Sequence, residues 1–191
     1  MRLFIALDLP AKVRQALDEL IARLQPKCPS ARWVRPEGIH VTLKFIGYTD
    51  ASKLDALLAA LAPVGSAQPV EMKFRGLGFF PNERRPQVLW CGVEAAKDLA
   101  ELAAKIERAL APVNVPPESR PFMPHLTLAR LQPGETSRAE MDELFRAAEE
   151  MKEQSFGSAR ATEFCLYESI LKRSGAEYKR LHTFPLVKGS A

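Results

Sequence analysis

The chain has 191 residues, 47% of them hydrophobic and 26% charged, a composition that fits an ordinary soluble globular protein with length enough for one large domain or two small lobes. No stretch approaches the ~20 apolar residues of a membrane span, and the opening apolar run reaches Asp8 too soon for a secretory signal. The net charge of +4, with a pI near 9.0, permits a polyanionic partner such as RNA without demanding one. Cys28, Cys91 and Cys165 are odd in number and widely separated, with no CxxC or Cys/His cluster. They offer neither a metal framework nor a disulfide scaffold and are expected as buried free thiols of a cytoplasmic protein.

Residues 3–9 form a short apolar run closed by Pro10 and predict a buried strand. Pro10 suits the first turn of a helix with the stripe Val13, Leu17, Leu20, Ile21 and Leu24, ended at Pro26. Arg32-Trp33-Val34 predicts a short strand, and Pro36-Glu37-Gly38 punctuates before a strand over residues 39–47. Asp50 or Ser52 caps a second helix carrying Leu54, Leu57, Leu58 and Leu61. Residues 70–80 and 87–93 predict a hairpin, with a bulge where Gly76 and Gly78 interrupt the first arm. A third helix over residues 95–110 bears Leu99, Leu102, Ile106 and Leu110. Pro112, Pro116, Pro117, Pro121 and Pro124 then require an extended connection into a strand over residues 124–131. Thr136 or Ser137 caps a fourth helix through Met151. Residues 156–162, 163–172 and 178–187 predict closing strands, the last two joined by a turn at Ser174-Gly175. Helices set among hairpin-linked strands indicate an α+β fold.

Two of the three histidines sit in one repeated pattern: His40-Val41-Thr42-Leu43 and His125-Leu126-Thr127-Leu128. In a strand, residues i and i+2 share a face, so each copy projects its histidine and threonine to one side. Histidine donates or accepts a proton near neutrality, and a facing pair divides those roles, one deprotonating a nucleophile while the other protonates a leaving group. The hydroxyls of Thr42 and Thr127 can donate to oxygens whose charge grows in the transition state. Phosphoryl transfer asks for this set, and no metal is required. Lys44 shares the His40 face of a regular strand and is a candidate phosphate contact. Arg130 is the matching candidate after His125, but strict alternation puts it on the opposite face unless the strand bends there. His182 stands alone and reads as a structural or surface histidine. Trp33, Phe79, Phe80 and Tyr167 read as core, although a nucleotide site would want an aromatic platform.

The paired motifs resemble those of the two-histidine (2H) phosphoesterases, and within them the LigT/ThpR-type RNA 2′,3′-cyclic phosphodiesterases, historically called 2′-5′ RNA ligases. The resemblance runs from Arg2-Leu3-Phe4-Ile5-Ala6-Leu7 through Trp33-Val34, His40 to Gly47 and Pro124 to Arg130, and on to Leu166-Tyr167-Glu168-Ser169 with Tyr178. It implies a single bilobal domain over residues 1–191, two antiparallel-sheet lobes with outer helices around a central cleft. It implies hydrolysis of a terminal RNA 2′,3′-cyclic phosphate, or of a cyclic-phosphate nucleotide, to a 2′-phosphate without metal or cofactor; a monomer is the default expectation. His40 is then the general acid on the departing O3′, His125 the general base on water, and Thr42 and Thr127 hold phosphate oxygens. From the residues alone, the acid and the base are not distinguished. Two other readings keep the same cleft: 2′-5′ ligation, which microscopic reversibility allows, and a non-catalytic nucleotide- or RNA-binding module. A structural scaffold leaves the paired motifs unexplained.

Overall fold

A computed structural model describes residues 1–132, 134–172 and 175–187. Its first strand, β1 (Arg2–Leu7), is buried on both faces, as its unbroken apolar run requires. Leu3, Ile5 and Leu7 enter the main core, whereas Phe4 and Ala6 join Cys165 and Tyr167 in a small cluster on the other face. β1 pairs on one side with β3 (Val41–Tyr48) and on the other with β8 (Glu163–Lys172), which pairs in turn with β9 (Gly175–Pro185). A second sheet runs in the order β2 (Arg32–Trp33), β6 (His125–Arg130), β5 (Val88–Ala95), β4 (Val70–Phe80) and β7 (Ser155–Ala161). All ladders in both sheets are antiparallel. The chain changes sheet at Thr162, between the end of β7 and the start of β8.

The helices are α1 (Ala11–Leu24), α2 (Leu54–Leu61), α3 (Lys97–Leu110) and α4 (Arg138–Glu150). α1 buries its expected stripe of Val13, Leu17, Leu20, Ile21 and Leu24 and packs on β7. α4 packs on β4, while α3 lies against both β3 and β4 and carries α2 on its flank. The two sheets approach each other where β3 meets β6. The fold is α+β and bilobal, with a motif strand from each sheet at the junction. Among the described residues, no helix is long and apolar enough to cross a membrane.

Local chemistry explains the element ends. Ser137 rather than Thr136 caps α4, in a reciprocal capping box with Glu140. Asp50 accepts from the Ser52 backbone N–H and caps a short 3₁₀ turn that leads into α2. The last strand begins at Gly175, three residues earlier than its sequence suggests, and Ser174 of the expected turn lies outside the described residues. Of the two glycines read as a bulge, only Gly76 is the extra residue, at φ +68° with its N–H bonded to the Gln154 carbonyl. A side chain there would meet the Lys152 carbonyl oxygen at 2.7 Å. Gly78 instead makes room for the indole of Trp90, its cross-strand partner. Gly76→Ala is therefore expected to cost about 1–3 kcal/mol in chemical denaturation. Gly134→Ala, at φ +86° in open space, should cost less.

Candidate active site

Each motif histidine is held by a carbonyl two residues upstream. His40 Nδ1 lies 2.8 Å from the Gly38 oxygen, and His125 Nδ1 lies 2.8 Å from the Met123 oxygen. A carbonyl only accepts, so both Nδ1 atoms carry the proton and both Nε2 atoms are left for a ligand. The anchor at Gly38 comes from the 3₁₀ turn Pro36–Gly38. The one at Met123 comes from the proline-rich connection, expected to be extended from Pro112 to Pro124; its start is taken up by a 3₁₀ turn, Ala111–Val113, and left-handed Asn114, and it is irregular from Val115 to Pro124. Thr42 and Thr127 share the faces of their histidines, and among the described residues neither hydroxyl has a hydrogen-bond partner.

The ladders then depart from strict alternation at the same point of both motifs. In β3 the register passes from Thr42, opposite Ala6, to Lys44, opposite Ile5, so Leu43 is an extra residue. In β6 it passes from Thr127, opposite Trp90, to Ala129, opposite Leu89, so Leu128 is extra. A bulged residue reverses the face of everything after it. Lys44, expected beside His40, is thereby turned to the core side: it is 4% exposed, and its Nζ donates to Glu107 Oε1 at 2.8 Å and to the Pro116 oxygen at 2.7 Å. Arg130, which strict alternation puts on the far side, is returned to the His125 face, opposite Val88. Its guanidinium is exposed and has no partner among the described residues.

Aromatic rings pack around both imidazoles. His40 stacks on Phe4, with centroids 4.7 Å apart, and meets Tyr178 edge-on at 5.1 Å. His125 meets Phe80 edge-on at 4.8 Å, and Phe80 leans on Trp90. Burial therefore disfavours the charged ring at both sites. It pushes His40 down to about 4, against opposing pulls from the Gly38 carbonyl and the Asp8 carboxylate. It also lowers His125, where the Met123 carbonyl opposes it and the Arg130 charge adds to it. The two imidazoles are near enough for His125 to depress His40 directly.

Beside His40 opens a cleft of about 400 Å³ lined by Phe4, Asp8, Arg14, Glu37, Ile39, Tyr167, Tyr178 and Arg180. Asp8 is its electrostatic centre. It accepts from the Tyr167 hydroxyl at 2.7 and 2.8 Å, pairs with Arg180, and has Arg14 at 3.9 Å. Tyr167, read as core from sequence, is both buried and part of this network. Asp8, Arg14, Tyr178 and Arg180 were not singled out as site residues. The signal for Asp8 is there in retrospect: Phe4, Ala6 and Asp8 are spaced by two and share the cleft face. Asp8, Glu163 and Cys165 also place three ligand atoms within 4.8 Å of one another, but both acids are already engaged by Arg180. His182 is exposed on β9, packed on Phe184.

The chain is similar to known proteins over nearly its whole length. The sequence pattern of the 2′-5′ RNA ligase superfamily matches residues 9–172. An RNA 2′,3′-cyclic phosphodiesterase of Archaeoglobus fulgidus is 31% identical over 96% of this chain and 99% of its own. One of Thermus thermophilus is 38% identical over 68% of each chain. Among solved structures, a Thermus thermophilus protein superposes with a TM-score of 0.82 at 30% identity over both full chains. Escherichia coli LigT bound to 3′-AMP superposes with a TM-score of 0.77 at 28% identity over 98% of each chain.

The placement of Lys44 has a consequence for stability. Glu107→Ala leaves a buried ammonium facing one carbonyl and is expected to cost about 3 kcal/mol or more in denaturant unfolding. Lys44→Met, which removes the charge and fills the space, should lie within about 1 kcal/mol of the parent.

Proposed function

The chain belongs to the 2′-5′ RNA ligase superfamily, and on that premise we propose that it hydrolyses terminal 2′,3′-cyclic phosphates of RNA to 2′-phosphates by metal-independent two-histidine acid–base catalysis. The observation that carries the reading is the matched pair of imidazoles, each with Nδ1 tied to a carbonyl and Nε2 left free, on motif strands that meet at the junction of the two sheets. Thr42 and Thr127 hold the non-bridging oxygens, with hydroxyls that have no hydrogen-bond partner among the described residues. Arg130 adds the positive charge, and Lys44, committed to Glu107, takes no part.

The division of labour is taken from the family resemblance: His40 is the acid that protonates the departing O3′, and His125 the base that takes a proton from water. Asp8 favours the charged ring on His40 and Arg130 disfavours it on His125, but burial is the largest influence on both rings and lowers both. The family's name points to the reverse traffic, joining a cyclic-phosphate end to a 5′-hydroxyl through the same groups. Water at bulk concentration favours hydrolysis.

The test is a short RNA ending in a 2′,3′-cyclic phosphate, incubated with the protein in EDTA, with the new end identified chemically. A 2′-phosphate is expected, and His40→Ala and His125→Ala should each lower kcat about 10²–10⁴-fold. Activity that requires an added divalent ion, or that survives both substitutions, defeats the proposal.

The pH profile gives a second test. The reacting state needs one imidazole charged and one neutral, and burial lowers both from the ordinary value of about 6.5. Since kcat/KM reports the free protein, it should be bell-shaped with both limbs below about pH 6.5. A bound phosphate is an anion between the rings and favours their charged forms, so the kcat profile should lie at higher pH. A kcat/KM that climbs to a plateau in the alkaline range would assign the proton transfers to other groups.

A further inference from the structure

We propose that the cleft beside His40 is the binding site of the terminal nucleoside, with its base laid against the ring of Tyr178 and its ribose turned toward His40. The inference rests on the hydrolysis reading. In-line displacement places the attacking water and the departing oxygen on opposite sides of phosphorus. Water is handled by His125 and O3′ by His40, so the ribose that carries O3′ lies on the His40 side of the phosphate. The base, attached to that ribose, must then find its surface on the first sheet.

That sheet presents a surface of the right kind. Phe4, Tyr167, Tyr178 and Arg180 share the face of His40 and Thr42 by ladder register. The cleft they line, about 400 Å³, falls within the roughly 300–1,000 Å³ of small-molecule sites. Phe4 is not free to stack on a ligand, because His40 stacks on it at 4.7 Å and Tyr167 at 5.3 Å. Tyr178 is free. It meets Phe4 and His40 only edge-on, at interplanar angles of 75° and 89°, and is 37% exposed. The backbone of Gly38 closes in on its ring edge, where a side chain would sit 3.3 Å from Cε2. The same residue supplies the carbonyl that orients His40. Platform and acid are thus fixed to each other through one glycine.

The polar groups of the cleft sort in the same way. Arg14 is spent on the carbonyls of Leu9, Pro36 and Glu37, and Arg180 on Asp8, Glu163 and the Tyr167 hydroxyl. The Glu37 carboxylate has no partner among the described residues and lines the cleft, where it can accept N–H groups from the edge of a base. An uncharged, flat, hydrogen-bonding ligand suits this surface, and a second phosphate does not.

The test compares two substrates on three proteins. One is adenosine 2′,3′-cyclic phosphate; the other is the methyl riboside 2′,3′-cyclic phosphate, which lacks a base. Base stacking worth about 1–3 kcal/mol makes the wild-type ratio of kcat/KM, nucleoside over riboside, roughly 5- to 150-fold. Tyr178→Ala should bring that ratio near one, and Tyr178→Phe should keep it. Any disturbance of His40 by the alanine affects both substrates and cancels in the ratio. A wild-type ratio near one, or a ratio that Tyr178→Ala leaves unchanged, overturns the inference while hydrolysis stands. If the wild type turns over neither substrate nor a cyclic-phosphate RNA, the hydrolysis reading itself falls.

Discussion

The leucine that closes each His-x-Thr-Leu motif is an extra residue in its ladder, and the polar layout of the cleft depends on it. Before the bulge, histidine and threonine point to the cleft and the intervening residue to the core. After it, the fourth residue past the histidine goes to the core and the fifth comes to the cleft face. In β6 those positions are Ala129, fully buried, and Arg130, exposed. In β3 they are Lys44, buried, and Phe45, whose ring carries Arg2 above it at 5.0 Å. One geometric device, used twice, therefore gives a cation to one half-site and withholds it from the other.

A buried lysine would be costly without partners, and the structure supplies them in a useful place. Glu107 on α3 accepts from Lys44 and also from the Glu118 backbone N–H, while the Pro116 carbonyl accepts from Lys44 as well. These contacts fasten the first motif strand to the proline-rich segment that carries the Met123 carbonyl and so the second histidine. Prolines make that segment stiff, but they also deprive it of backbone donors. Side-chain acceptors and donors from elsewhere must hold it. Lys44 thus serves the cleft as a tie between its halves.

Much of this was legible in the sequence, for reasons that can be named. The strand and helix runs are long and periodic, and the breaks carry proline, glycine or a capping serine, so the element order could be read. The paired motifs put His40, Thr42, His125 and Thr127 on cleft-facing strands, because alternation holds up to the bulge. It failed one residue later. Nothing in Leu43 or Leu128 announces an extra residue, since a buried leucine suits a regular strand equally well. Lys44 was consequently placed on the wrong face by the same rule that placed the histidines, whereas Arg130 reaches the cleft face through the bend that its candidacy required. Gly76 was readable as a bulge because its backbone needs a positive φ; the leucine bulges need none. Asp8, Tyr178 and Arg180 were missed for a different reason. They come together only when β9 is laid beside β8, and β8 beside β1, a pairing of chain ends that no local pattern encodes.

The two half-sites look alike in their motifs and differ in what surrounds them, a difference that the proposed acid–base catalysis would require. Two identical imidazoles in identical surroundings would compete for one proton, each as willing to hold it as the other. The chain breaks that equivalence with fixed charges, Asp8 and Arg14 near His40 and Arg130 near His125, and with unlike neighbours, the cleft of Phe4, Tyr167 and Tyr178 on one side and Phe80 with Trp90 on the other. Asp8 reaches its place because β1 alternates without interruption, and Arg130 reaches its place because β6 does not. The histidines can be duplicated so long as the residues behind them are not. The motifs supply two alike imidazoles, and the strands' registers decide which charged side chains stand beside each of them.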